Sequence, residues 1–318
     1  MMLADFTIDA GHLCSGHEIP DMPLAFVGLA SDDPYLPEIC LPPIPVIGLG
    51  DASHPLAQHL DTVLESPIGA DALITQVTAQ PLAAAVLVQL LRVLPALSLE
   101  DGLTAESLAY AVLQGSEAHR LWREGREETG DPPGEGRVLL ERDGPCLTIV
   151  LERVEAGNAI DRAMRDGLYE ALELAAIDPA IERAVLRGSG KAFSLGAELA
   201  EFGTITNPAM AHAIRMQTLP ARQAVRCAAK LEAHVQGACV GAGLELASFS
   251  RRITASANAW FQLPELAMGI LPGAGGCVSL TRRIGRQRTA LMILSGKRLN
   301  ARQALAWRLV DELVDDPA

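Results

Sequence analysis

The chain has 318 residues, of which 49% are hydrophobic, and a formal net charge of −13. That length and composition allow a full core and two structural units, while the acidic balance argues against a partner that is a nucleic acid or an anionic membrane surface. The first residues, MMLADFTIDAGH, carry acids where a secretory signal carries bases and lack a continuous apolar run, so a cytoplasmic protein is expected.

Residues 1 to about 43 are rich in proline and aspartate, show no sustained period, and read as an arm or irregular cover. His12, Cys14 and His17 could be imagined as metal ligands, but a fourth ligand at suitable spacing is missing and no metal is expected. The six cysteines form no CxxC pair, which suits reduced thiols. IPVIGLG, at 44–50, predicts a strand, and helical patterns follow at 54–66, 70–94 and 104–128. GLGDAS after that strand lacks the third glycine of a dinucleotide loop, since Ser53 stands there, and a strand followed by a helix turn explains it. The apolar stretch at 81–97 is too short for a membrane span and is interrupted by Gln89, Arg92 and Pro95. ETGDPPGEG, at 128–136, reads as a linker. Residues 1–130 are therefore expected to form an acidic, mostly helical extension.

The charge is unevenly placed. Residues 1–119 hold 15 acids and one base, Arg92, whereas residues 120–318 hold 24 acids and 25 bases. Between Glu265 and Asp311 there is no acid, yet eight bases occur, among them Arg282, Arg283, Arg286 and Arg288. Such a stretch is either a set of solvated helix faces, a dock for an anionic ligand, or a dock for the acidic N-terminal part.

Residues 137–318 form the second unit. RVLLER and CLTIVLE predict a hairpin around Asp143-Gly144, followed by a helix at 161–176 that Asp178-Pro179 ends. The strand RAVLRGSG, a loop at 190–200, a helix within 208–230, the strand LEAHVQG and a helix from about Gly243 come next. Short strands near 252–256 and 259–262 precede helices near 286–294 and 301–308. Strands that repeatedly precede helices favour an α/β architecture.

Four loop segments could carry chemistry: KAFSLGAEL (191–199), VQGACVGAGLEL (235–246), FQLPELAMG (261–269) and ILPGAGG (270–276). They follow predicted strands, where α/β folds place ligands, and their glycines allow a ligand close to main-chain N–H groups. An Ala242 N–H at the first turn of a helix, with one from the Gly196-Ala197 turn, could hold a thioester oxygen as it becomes an enolate. Glu245 in a first helical turn and Glu265 after Pro264 each have a purely structural reading. Facing one site, they could divide acid and base roles.

In this order the four segments resemble the enoyl-CoA hydratase/isomerase, or crotonase, superfamily, whose segments read AFSAGAD, NGxxxGGGxEL, FxxPEIxxG and PGAGG. The likeness extends over LTIVLERVEAGNAIDRAM and SGKRLNARQALAWRLVDELV, from Val138 to Val314. It implies a crotonase-like spiral of ββα units, acyl-CoA thioester substrates with no cofactor beyond their coenzyme A, and a homo-oligomer, trimer or hexamer. It further implies oxyanion N–H groups at Ala197 and Ala242 and the catalytic glutamate pair of true hydratases at Glu245 and Glu265. Substrate-binding positions follow at Ala192, Phe193, Gly196, Glu198, Leu199, Gly241 and Gly273. The resemblance thus implies an enoyl-CoA hydratase. Isomerisation, thioester hydrolysis and cofactor-free oxygenation use the same hole, and an N-terminal helical extension also occurs in the dioxygenases of this fold. A non-catalytic acyl-CoA-binding subunit is the reading from another class.

The chain departs from the pattern at Gln236, where asparagine is usual, at Ala242, usually glycine, and at Glu198, usually aspartate. It also ends at Ala318, where the family continues through helices that cover the site. The N-terminal extension is expected to pack near the basic helices and supply part of that cover, and residues 199–220 to wall the acyl pocket.

Overall fold

The computed structural model describes residues 2–14, 21–30, 38–126 and 133–315. His17 and residues 128–132 of the expected linker lie outside these. The N-terminal part opens with a four-stranded, all-parallel sheet of β1 (Thr7–Ile8), β2 (Ala25–Leu29), β3 (Val46–Gly50) and β4 (Thr62–Val63), paired in that order. β1 and β2 lie where irregular cover was expected. AFVGL is a short apolar run without alternation, and a strand buried on both faces needs none. The helix expected at 54–66 is instead a short 3-10 turn, Ala57–His59, leading into β4.

Four helices follow: α1 (Ala70–Ala79), α2 (Pro81–Val93), α3 (Leu99–Gln114) and α4 (Glu117–Glu124). Pro81 lacks an N–H and splits the pattern at 70–94 into two helices bent by 110°. Among the described residues no single helix is long and apolar enough to cross a membrane. Ser98 begins α3 by accepting a hydrogen bond from Asp101 N–H at 3.1 Å, and Glu100 and Asp101 in its first turn complement the helix dipole.

The second part is built on a six-stranded sheet. The antiparallel hairpin of β5 (Arg137–Asp143) and β6 (Cys146–Glu152) turns at Gly144, and α5 (Arg162–Ile177) then crosses to β7 (Arg183–Gly188). The helix expected within 208–230 breaks at Pro220 into α6 (Pro208–Thr218) and α7 (Pro220–Cys227). β8 (Leu231–Val235), β9 (Ala238–Val240), α8 (Ala242–Ala247), β10 (Arg252–Ser256) and β11 (Trp260–Gln262) follow. The chain continues through α9 (Gly276–Ile284), α10 (Arg286–Ser295), β12 (Leu299–Asn300), α11 (Ala301–Ala306) and β13 (Glu312–Val314). The large sheet has the order β13-β10-β8-β7-β6-β5, and all pairs in it except the hairpin are parallel. A small sheet, β12-β11-β9, stands beside it.

The two parts share one core, in which Leu73, Leu87 and Leu103 of the N-terminal part join Leu280, Leu291 and Leu294. α3 lies against α6 and α9, and Gly102 allows that approach, since a Cβ there would already be 3.2 Å from Val278 Cγ2. Charge reinforces the junction. Glu65 accepts two bonds from Arg288, at 2.7 and 2.9 Å, and Arg286 Nη2 donates to Leu60 O at 2.7 Å. Asp61, 1% exposed, accepts from Arg92 at 2.7 and 2.8 Å and from Val46 N–H at 2.9 Å, with Arg286 at 3.6 Å.

Removing a buried carboxylate from between two guanidinium groups leaves those charges uncompensated, which costs about 3 kcal/mol. Asp61→Ala is therefore expected to lower the chemical-denaturation midpoint by that equivalent, whereas Arg120→Ala, at an exposed pair on α4, changes stability by less than about 1 kcal/mol.

Candidate active site

Two glycine turns lie side by side, the residues just before them joined by the parallel bridge between Ser194 and Cys239. Gly196 has φ +96°, and its N–H donates to Ser194 Oγ at 3.1 Å, while Ser194 Oγ donates to Asn158 O at 2.8 Å. Gly241 has φ +48° and donates to Gln262 O at 3.0 Å. A Cβ on Gly196 would stand 3.1 Å from Val240 O, and one on Gly243 would stand 2.6 Å from Ser194 Cβ, so both positions need glycine. The carbonyl of Gly196 and the N–H of Glu198 are taken up by Ile160, at 2.7 and 2.9 Å. Among the described residues the N–H groups of Ala197, between them, and of Ala242, at the first turn of α8, donate to no protein acceptor. The left-handed conformation falls on Gly241, not Ala242. A methyl group at 242 therefore leaves its N–H in place.

Gln236 and Glu198, the other two departures, have structural work. Gln236 Nε2 donates to Gly188 O at 2.6 Å and holds the turn after β7. Glu198 accepts from Arg153 at 2.6 Å and from Ala200 N–H at 3.0 Å. Burial opposes its ionisation, but those two partners hold its carboxyl below the usual range.

Both turns open on a cavity of about 470 Å³, lined by Ala197, Glu198, Ala242, Glu245, Glu265 and Gly273 among the positions expected to form the site. Ala192, Phe193, Gly196, Leu199 and Gly241 are not in its lining. Phe193 is fully buried, Ala192 O accepts from Asn158 Nδ2 at 2.8 Å, and Leu199 O accepts from Arg126. They shape the loops from behind. The wall expected from residues 199–220 is present in Phe202, Ile205, Ala211, Ile214 and Leu219, but its methionines are absent from the lining.

The two glutamates are buried, Glu245 at 2% and Glu265 at 8% exposure. Glu245 Oε2 accepts from Ala274 N–H and Gly276 N–H, both at 2.7 Å, while its Oε1 accepts no hydrogen bond from the protein among the described residues. Burial raises the Glu245 carboxyl to about 7 against those amides, which lower it. Glu265 lies against Gly241, where a Cβ would be 2.8 Å from its Oε1, and its buried Oε2 has no partner. Burial, then the charge of Glu245, push Glu265 well above the usual carboxylate range.

The N-terminal part adds residues that the loop motifs did not point to. Glu106 of α3, 1% exposed, accepts from Gly275 N–H at 2.7 Å, Cys277 N–H at 2.9 Å and Val278 N–H at 3.3 Å. Five successive amides at the start of α9 thus serve two carboxyl groups. One turn further along α3, the Tyr110 ring lines the cavity so close to Gly273 that a Cβ there would stand 2.3 Å from its Cδ2. Arg215 of α6 stacks on that ring at 4.5 Å and donates to Ser107 Oγ at 3.0 Å. His119 of α4 also lines the cavity, its Nδ1 paired with Met268 O at 2.9 Å. The available signal was the spacing Leu103, Glu106, Tyr110, Leu113, which puts a glutamate on the buried stripe of a helix.

An enoyl-CoA hydratase/isomerase family model matches residues 141–317, and the chain belongs to that family. It is 36% identical over 176 residues to the 2,3-dehydroadipyl-CoA hydratase of Escherichia coli, a match that takes in 55% of this chain and 68% of that protein. It is 34% identical over 179 residues to the mitochondrial enoyl-CoA hydratase of Pongo abelii, covering 55% of this chain and 61% of that one. The enoyl-CoA hydratase structure from Thermoplasma volcanium superposes with a TM-score of 0.52 at 37% identity, over 56% of this chain and 72% of its own. The crotonase fold is thereby assigned. Glu106 and Tyr110 precede the matched region.

A carboxyl raised from 4.5 to about 7 binds its proton more tightly in the folded state. Its contribution is fully present below about 4.5 and is lost as pH rises towards 7, by up to about 3 kcal/mol at about 1.4 kcal/mol per pKa unit. Thermal unfolding across that range is expected to show a steeper decline in stability for wild type than for Glu245→Gln.

Proposed function

We propose that the protein adds water across the 2,3 double bond of a 2-enoyl-CoA thioester. The observation that carries this reading is the convergence of Glu245 and Glu265 on the cavity into which the undonated N–H groups of Ala197 and Ala242 open. The thioester oxygen accepts both N–H groups, which stabilise the negative charge it gains as the enolate forms. A water held between Glu245 and the unpartnered Oε2 of Glu265 attacks the β-carbon. One carboxylate takes the water's proton as the C–O bond forms, and a proton passes from a carboxyl group to the α-carbon. The coenzyme A belongs to the substrate, and the step needs no other reactant.

Two carboxyls favour hydration over reactions that need the hole alone, because water addition requires a proton to be taken and a proton to be given. Their burial suits this division, since it raises Glu245 to about 7 and, with the charge of Glu245, pushes Glu265 well above the usual carboxylate range. The apolar wall of Phe202, Ile205 and Ile214 accommodates an acyl group.

Incubation with a panel of 2-enoyl-CoA thioesters in isotopically labelled water, followed by mass spectrometry, tests the proposal. Wild type is expected to incorporate label, and Glu265→Gln to lose about 100-fold or more of that rate. Binding of the thioesters with no label in any product refutes hydration.

A further inference from the structure

The start of α9 divides its amides between two side chains from opposite ends of the sequence. Ala274 and Gly276 donate to Glu245, and Gly275, Cys277 and Val278 donate to Glu106. A helix N-terminus carries about half a positive charge, too little to neutralise two anions in a site where both carboxyls are at most 2% exposed. Like charges so placed resist ionising together.

We propose that Glu106 is a positioning residue of the active site, sharing one proton with Glu245 so that Glu106 is the anion and Glu245 the acid. This rests on the reading of Glu245 as a catalytic residue. The hydrogen-bond pattern decides which partner holds the proton. Both oxygens of Glu106 accept N–H bonds, and a proton on either would compete with them. Glu245 commits only Oε2, which leaves Oε1 to carry the proton towards the cavity. Burial pushes both members of the pair upward, and at Glu106 the neighbouring Glu245 adds to it.

The other ionisable groups around the pair do not replace this partnership. Glu265 approaches from the turn before α9 and adds a second negative charge if ionised. Cys277 of α9 is buried and held as a thiol, and burial likewise keeps Tyr110 of α3 protonated. Arg215 of α6 faces Glu106 and Tyr110, forms no ion pair among the described residues, and spends three of its N–H groups on Ser107 and Gln114. His212 is tied to Ser107 at 2.9 Å. The acid strength of Glu245 is therefore set from the N-terminal part, outside the region that matches the family.

Infrared titration of the full chain reads the protonated-carboxyl carbonyl band without needing turnover. Wild type near neutral pH is expected to show one protonated carboxyl more than Glu106→Gln, in which Glu245 is freed to ionise, and one more than Glu245→Gln, which lacks the protonated group and leaves Glu106 the anion. Equal band intensity in all three proteins overturns the shared proton. Where hydration is measurable, the loss of activity on the alkaline side should move to lower pH by about one unit or more in Glu106→Gln. A uniform loss at every pH, with the limb unmoved, would mean that Glu106 is only structural and also overturns the proposal. Absence of hydration with the expected band changes sinks the hydratase reading alone and leaves the carboxyl pair standing.

Discussion

The N-terminal end of α9 is the constraint on which the site depends. Gly275 has φ +105° and no side chain to cap the helix, so the first amides must find acceptors elsewhere. They find them in Glu245, from the loop-and-helix unit that also supplies Ala242, and in Glu106, from α3. A Cβ on Gly276 would be 2.5 Å from Glu245 Cγ, so the close approach depends on glycine as well. Helix capping and acid positioning are thus one arrangement. The carboxyl groups satisfy the backbone, and the backbone holds Glu245 at the edge of the cavity.

That arrangement explains why an acidic N-terminal part is joined to a basic run of helices. Asp61 and Glu65 engage Arg286 and Arg288 on α10, while Leu103 and Gly102 of α3 pack into the core beside α9. The ion pairs fix orientation more than they add stability; the shared apolar core supplies the adhesion. With α3 so placed, Tyr110 reaches the cavity, Glu106 reaches the amides at the start of α9, and α4 brings His119 to the cavity wall. The N-terminal part is therefore part of the site's wall and of its electrostatics.

Much of this was legible in local sequence. The hairpin at 137–152, the glycine turns at 196 and 241 and the two cavity glutamates stand where their residues predict, because each depends on short-range turn chemistry and strand pattern. The charge asymmetry between residues 1–119 and the run after Glu265 left three readings open, and the pairs of Asp61 and Glu65 with Arg286 and Arg288 match the one that docks the N-terminal part. What escaped the sequence was set by distance. α9 has no local capping signal, because its caps come from Glu245, 31 positions away, and Glu106, 171 positions from Cys277. β1 has only two residues, and β2 opens with three consecutive buried ones, so neither shows a readable alternation. Pro81 and Pro220 break helices where apolar periodicity runs on. Glu106 looked like one more acid in an acidic helix until α9 was placed against it.

The central claim, that Glu106 and Glu245 act as one electrostatic unit across the two parts of the chain, is tested most directly by a double-mutant cycle on folding stability at neutral pH. The measurement compares wild type, Glu106→Gln, Glu245→Gln and the double variant by chemical denaturation. Two groups that share a proton and a helix terminus should be strongly non-additive, with a coupling energy of about 1 kcal/mol or more. Additive effects would contradict the account, reducing the two glutamates to independent caps of the same helix.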